Sequence, residues 1–309
     1  MLAYVVRRLL WLPVLLLAIS FVTFALGRFG PGDPVQVLQG QHLNPEIQER
    51  VRHELGLDKP FLEQYQQYVT SALQGDFGVS YKYRGEAVSD LILRRLAVSA
   101  QLSMAAIIVS LTLGILIGIA SALRAGTAFD LFVAAASSAA YAIPSFVSAP
   151  MLMWLFAGQL KVLPVSGWDG ILSARAILPV TVISLSSIAY IARQTRASVL
   201  EVLDQDYVRT ARAKGLLEKR VIFQHVLPNS LIPIATIGGL MLGSLVGGFF
   251  ITESVFGIPG IGRLGVEALF SRDYPVIMAM TLLIATAYVL ANLVVDLTYA
   301  FLDPRIRYK

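Results

Sequence analysis

Residues 206–228 read D-Y-V-R-T-A-R-A-K-G-L-L-E-K-R-V-I-F-Q-H-V-L-P and hold the densest set of reactive-looking side chains between two apolar stretches. Arg209, Arg212 and Lys214 alternate with Val208, Ala211, Ala213 and Leu216, a spacing that predicts a short basic amphipathic helix. Gly215 should break it, and a second helical segment, 218–226, should stop at Pro228. The chemistry of such a bend is non-covalent: ion pairing and close fit to a water-soluble partner, or adsorption to anionic headgroups. The candidate contact residues are Tyr207, Arg209, Ala211, Arg212, Lys214, Gly215, Leu216 and Pro228.

Covalent chemistry finds little support. The chain has no cysteine, which removes disulfides, thiolate nucleophiles and cysteine metal sites. Its histidines, His42, His53 and His225, all fall outside the apolar stretches. No G-x-x-x-x-G-K-[ST] phosphate loop occurs, so ATP hydrolysis by that route must take place elsewhere. Asp76-Phe77-Gly78 looks like a kinase tripeptide but lacks the accompanying loops and reads as a turn. As ionisable groups deep in lipid, Glu253, at the outer end of the fifth apolar stretch, and Asp296, near the inner end of the last, are the only close candidates, and neither is at mid-membrane. The expectation is a non-catalytic chain with no cofactor or metal of its own.

The elements that carry the bend follow from composition. With 309 residues, 56% of them hydrophobic and 15% charged, a soluble fold would expose too much apolar surface, whereas a multi-span membrane protein needs this balance. A helix must cross about 30 Å of hydrocarbon, roughly 20 residues. Six stretches qualify: 9–27, 99–123, 131–158, 171–191, 232–252 and 276–301. All six should be helical, because lipid offers backbone groups no partner. Arg7, Arg8, Arg124, the cations of 193–220, and Arg305, Arg307 and Lys309 then share one face, with Lys161, Arg175, Arg263 and Arg272 opposite. The positive-inside rule puts both termini in the cytoplasm, although Arg28, Arg94 and Arg95 run against it. The net charge of +5 is explained by this topology and calls for no nucleic-acid partner. Residues 1–27 form a retained tail and first span rather than a cleaved signal, since the apolar run exceeds the usual 7–15 residues.

Residues 28–96 are expected to form a small, polar, helical extracytoplasmic cap: one helix from Asn44-Pro45 to Gly56 and another from Pro60 to Gly75. Residues 97–309 form the five-helix core, with the cytoplasmic loop at 193–231. Gly239, Gly243 and Gly247 recur every four residues and so make one packing stripe, within a subunit or between subunits; Gly114 and Gly118 repeat the spacing. Pro144, Pro150 and Pro179 permit kinks. Near them Ser137, Tyr141, Ser184 and Ser187, with Pro144, are candidates to line a hydrated path, or are hydroxyls bonded within their own helices.

The 206–228 segment resembles the cytoplasmic signature loop of ATP-binding-cassette importer permeases, with Ala211, Gly215 and Leu227-Pro228 in the marked places. Arg209 stands where an acidic residue often opens the motif and His225 where an aliphatic one is usual; arginine there is similar to the dipeptide and oligopeptide branch. Strings of that branch run the length of the chain: P-G-D-P at 31–34, E-L-G-L-D-K-P at 54–60, G-D-F-G-V-S at 75–80, P-V-S-G at 164–167, R-D-Y-P at 272–275 and D-P-R-I-R-Y at 303–308. The resemblance implies an all-α, six-span, type I importer permease in the bacterial or archaeal inner membrane, working by alternating access. Its implied partners are membrane lipid, a second homologous permease, two cytoplasmic ATP-binding subunits holding ATP and magnesium, and an extracytoplasmic peptide-binding protein. Cargo could instead be a nickel chelate, glutathione or an opine, and from another class the chain could be a secondary carrier or channel.

Overall fold

The computed structural model describes residues 2–30, 49–50, 52–53, 56–242 and 244–302, with side chains described at 10–30, 49–50, 52–53, 56–242 and 245–293. The first apolar stretch is helix α1, Leu2–Phe29. Beside it lies α2, Phe61–Leu73. Helix α3 covers Val88–Ala122, a fifty-ångström-class rod on the basis of about 1.5 Å per residue. The expected cap boundary at residue 96 therefore falls inside a helix, and Arg94 and Arg95 belong to its first turns.

The third apolar stretch is not one continuous helix. Helix α4, Ala128–Ala142, and α5, Ser145–Leu152, which continues as a π-helical turn Met153–Gln159, meet at 104°. The cause is local. Pro144 has no N–H and forbids helical backbone before it, so Ile143 is extended at φ −83° and ψ 116°. Helix α6, Ala174–Leu203, is continuous through Arg193, so the loop expected from residue 193 begins only at Asp204. There α7, Asp206–Ala213, and α8, Glu218–Val221, form the bend. The chain then passes through a π-helical turn, Ile222–Val226, into α9, Leu227–Ser230. Pro228 does not stop this segment; it sits in the first turn of α9, where its missing N–H costs no hydrogen bond.

The fifth stretch is described as α10, Ile232–Leu242, α11, Ser244–Gly247, and α12, Phe250–Val255, with a break at Gly248-Phe249. Helix α13, Ile261–Ser271, leads to the last long helix α14, Tyr274–Leu302. Among the described residues four helices are long and apolar enough to cross a bilayer, and two bent pairs raise the number to six.

The bundle is held by α3 against α6. A Cβ on Gly114 would lie 2.7 Å from Ile191, and one on Gly118 would lie 2.6 Å from the Ala192 carbonyl and from Thr195. The two backbones approach because these positions carry no side chain. The predicted stripe in the fifth stretch behaves differently. Gly247 faces open space, Gly243 lies outside the described residues, and the buried glycine in α10 is Gly238, against Leu111, beside half-buried Gly239.

Helix α2 begins after Pro60 and ends before Gly75, as the sequence predicts, and the Asn44 helix lies outside most of the described residues. However, α2 is no free polar cap. Its Phe61, Tyr65 and Tyr68 pack on Phe21, Phe24 and Phe29 of α1, and Tyr65 donates a hydrogen bond to the Leu17 carbonyl at 3.0 Å. Burial of these rings, not polarity, lays α2 along the C-terminal part of α1.

Candidate functional site: coupling knob, outer clamps and central groove

The bend at 206–230 is a knob built on α6. Val208, Ala211, Val221 and Val226 are buried together against Ala122 and Val199. Ala211 thus faces its own subunit, which corrects its assignment to the contact surface. Gly215 ends α7 at φ +79° with nothing within 4 Å of a Cβ, so the glycine is required by the left-handed backbone and leaves the crest of the bend bare. Exposed around that crest are Tyr207, Arg209, Arg212, Lys214 and Pro228, while Leu216 is half-buried. Arg212 donates to Glu218 at 2.7 Å and 3.2 Å, and this hydrogen bond holds the Glu218 carboxyl below the usual carboxylate range. Two apolar side chains that periodicity did not single out complete the surface: Leu217 is 79% exposed and Phe223 is 68% exposed. Phe223 stands in the π-helical turn Ile222–Val226.

One hydrogen bond ties the knob to α6, and an ion pair braces α6 itself nearby. Ser198 of α6 donates to the Ser230 carbonyl at 2.8 Å. One face higher, Arg196 makes a bidentate pair with Asp130 at 2.6 Å and 2.7 Å, and Asp130 also accepts from Ser121 at 2.6 Å and from the Gly126 N–H at 3.0 Å. Three elements, α3, α4 and α6, converge on that carboxylate.

On the opposite face two carboxylates act as clamps. Glu253 is 0% exposed; it accepts from Ser99 at 2.7 Å and from the N–H groups of Phe249 and Arg263 at 3.1 Å and 3.0 Å. Ser99 in turn accepts from the Ile261 N–H at 2.8 Å. A Cβ at Gly260 would strike Glu253 at 2.3 Å, which explains the glycine there. Asp273 is bonded to the Ser80 hydroxyl and to the N–H groups of Tyr81 and Lys82, both at 3.1 Å. The strings G-D-F-G-V-S and R-D-Y-P, far apart in sequence, therefore meet. Within the first, Gly78 donates to Asp76 at 2.9 Å, the turn expected of Asp76-Phe77-Gly78. Asp296 has no described side chain.

The residues proposed from sequence to line a path divide. Ser184 is buried and donates to the Ala106 carbonyl at 3.2 Å, so it belongs to the α3–α6 contact rather than to a path. Ser137 is likewise buried, on α4. Tyr141 and Ser187 share a groove of about 390 Å³ with Ser186, Tyr190, Ile191, Ile237, Leu240 and Met241, and Pro144 marks the break just beyond Tyr141. Ser186 and Tyr190 join them in the groove, and Arg193, which the sequence places in a loop, lies over the Tyr141 ring at 4.8 Å.

A broken-span helical bundle with a bent basic knob projecting from one face is the architecture of a type I importer permease. A crystal structure of an amino acid ABC transporter superposes on 71% of this chain and 95% of its own with TM-score 0.51 at 19% identity, a likeness of fold. Residues 114–308 match the family described as binding-protein-dependent transport system inner membrane component, residues 1–105 match the N-terminal region of such components, and the chain belongs to this family. A probable peptide ABC transporter permease protein of Sinorhizobium fredii is 40% identical over 99% of both chains. The di/tripeptide transport system permease DppB of Pseudomonas aeruginosa is 40% identical, and the oligopeptide transport system permease AppB of Bacillus subtilis 38%, each over the full length of both chains. The chain is a multi-pass inner-membrane permease subunit of an ABC importer, which implies an ATPase and a binding protein as partners.

Proposed function

We propose that this chain forms half of the translocation path of an ATP-driven importer of di- and oligopeptides. The observation that carries the reading is end-to-end similarity to relatives whose names specify peptide transport. A second, homologous permease completes the path, and two cytoplasmic subunits bind ATP and magnesium beneath it. A peptide-binding protein delivers cargo to the outer face, both termini are cytoplasmic, and the chain itself catalyses no reaction.

The knob is the part that receives mechanical work. Its crest offers Tyr207, Leu217 and Phe223 for apolar burial, ringed by Arg209, Arg212, Lys214, Lys219 and Arg220. Exposed ion pairs contribute only about 0–1 kcal/mol each, so shape and apolar burial should dominate the docking energy. Nucleotide binding would draw the ATPase pair together, and the rigid continuity of α6 into α7 would carry that movement to the spans; hydrolysis would reset it.

The test is reconstitution of the complete importer with Gly215→Glu. The variant should insert in the membrane and hydrolyse ATP without taking up trialanine. Peptide uptake at the wild-type rate would refute the docking role of the crest, and failure of the wild-type complex to take up any peptide with its binding protein would refute the cargo.

A further inference from the structure

We propose that Arg193, lying over the ring of Tyr141, is an intramembrane subsite for the terminal carboxylate of the cargo; this rests on the peptide-importer reading above.

The depth of the cation is the first observation. Arg196, three residues on in α6, pairs with Asp130 at the start of α4. Tyr141 lies eleven residues further along α4, up to roughly 16 Å deeper at about 1.5 Å per residue. The Arg193 guanidinium lies over that Tyr141 ring, 4.8 Å from its centroid. The exposed Arg193 side chain therefore reaches along α4 toward Tyr141, on the side away from the Arg196–Asp130 pair. An ionisable group on a helix apolar enough to span a bilayer is costly unless it faces a pathway or a partner.

The second observation is what surrounds it. Arg196 has its carboxylate, whereas among the described residues no carboxylate pairs with Arg193. Tyr141 and Tyr190 are stacked at 6.5 Å with an interplanar angle of 29°, which fixes the ring that carries the guanidinium. The ring faces supply attraction to the cation without neutralising it, leaving its planar fork of donors for an anion.

The third is the adjoining space. The groove of about 390 Å³ bounded by Tyr141 and Tyr190 also holds Ser186 and Ser187, whose hydroxyls no other described residue engages. A terminal carboxylate fits the guanidinium in bidentate fashion, and the serines suit the peptide groups next to it. The apolar wall of Ile237, Leu240 and Met241 accepts side chains of varied shape. Such a site reads the one group common to all linear peptides and ignores their sequence.

The experiment uses the complete reconstituted complex. Purified without the binding protein, the wild-type complex should retain radiolabelled trialanine, displaced by unlabelled trialanine and not by trialanine amide. Arg193→Gln should weaken retention roughly 10- to 100-fold, as expected for loss of a charge-assisted hydrogen bond, and Arg193→Lys should restore part of it. In uptake, the loss should appear in turnover and not in the KM for loaded binding protein. The same loss should occur in vesicles of phosphatidylcholine alone and in vesicles containing phosphatidylglycerol. Equal displacement by the amide, no retention by the wild type, or a defect confined to anionic vesicles, which would make Arg193 a lipid contact, would each overturn the subsite. Trialanine uptake unaffected by Arg193→Gln would overturn it while leaving the peptide importer standing; no uptake by the wild type would remove both.

Discussion

Gly215 and Gly260 are both glycines at critical places, yet for different reasons. At Gly215 only the backbone is demanding: φ is +79° and the space beyond is open. Asparagine tolerates this conformation better than other residues, whose cost is about 1–2 kcal/mol. Gly215→Asn should therefore keep the knob folded and reduce uptake less than Gly215→Glu, a ranking readable from transport assays on equal amounts of inserted protein. At Gly260 the neighbour is demanding, since Glu253 fills the place of a side chain. Glu253→Ala would strand the Ser99 hydroxyl and two backbone N–H groups, at about 1–3 kcal/mol for each buried group left unmet. We predict a clear fall in the detergent melting temperature for Glu253→Ala and a smaller one for Glu253→Gln, which keeps one acceptor oxygen. Equal melting temperatures for all three proteins would show that the clamp is not structural.

At the scale of elements, the glycine spacing of two helices looked the same and did not behave the same. Gly114→Ala should destabilise the α3–α6 contact by about 1–3 kcal/mol through overpacking against Ile191, whereas Gly247→Ala has room. Thermal unfolding of the two variants checks the contrast. The Asp130–Arg196 pair joins the foot of the broken third span to the helix that carries the knob. Either single substitution, Asp130→Asn or Arg196→Gln, should lower uptake; the exchange Asp130→Arg with Arg196→Asp should recover part of it only if the pair acts as a strut. Recovery is measured against the worse single variant. Breaks in the third and fifth stretches were legible only as permission. Proline at 144 says that the helix can end there, but the 104° turn depends on what the two halves pack against.

For the whole molecule, the two ends of the bundle are built on different physics. One end of the bundle is clamped by buried carboxylates that gather backbone N–H groups from segments remote in sequence; the opposite end presents an exposed apolar crest within a ring of cations. Placing a charge in that crest, as in Leu217→Glu or Phe223→Glu, should reduce co-elution of the ATPase subunits in detergent while the subunit remains inserted. Unchanged co-elution in both variants would move the docking surface elsewhere on the knob.

Hydrophobic patterning by itself determined the membrane class, the number of apolar stretches, the ends of α2 and the glycine break of the knob, because these depend on neighbours within a turn or two of helix. It could not tell which glycines meet another backbone, that Ala211 turns inward, that α2 lies on α1, or that Glu253 and Asp273 are clamps. Those are matters of what lies opposite a residue, and a chain carries that information only once remote segments are brought together. Arg193 shows the difference most clearly: beside Arg196 in sequence it reads as a loop cation, and only the packing of α6 on α4 carries it up to Tyr141.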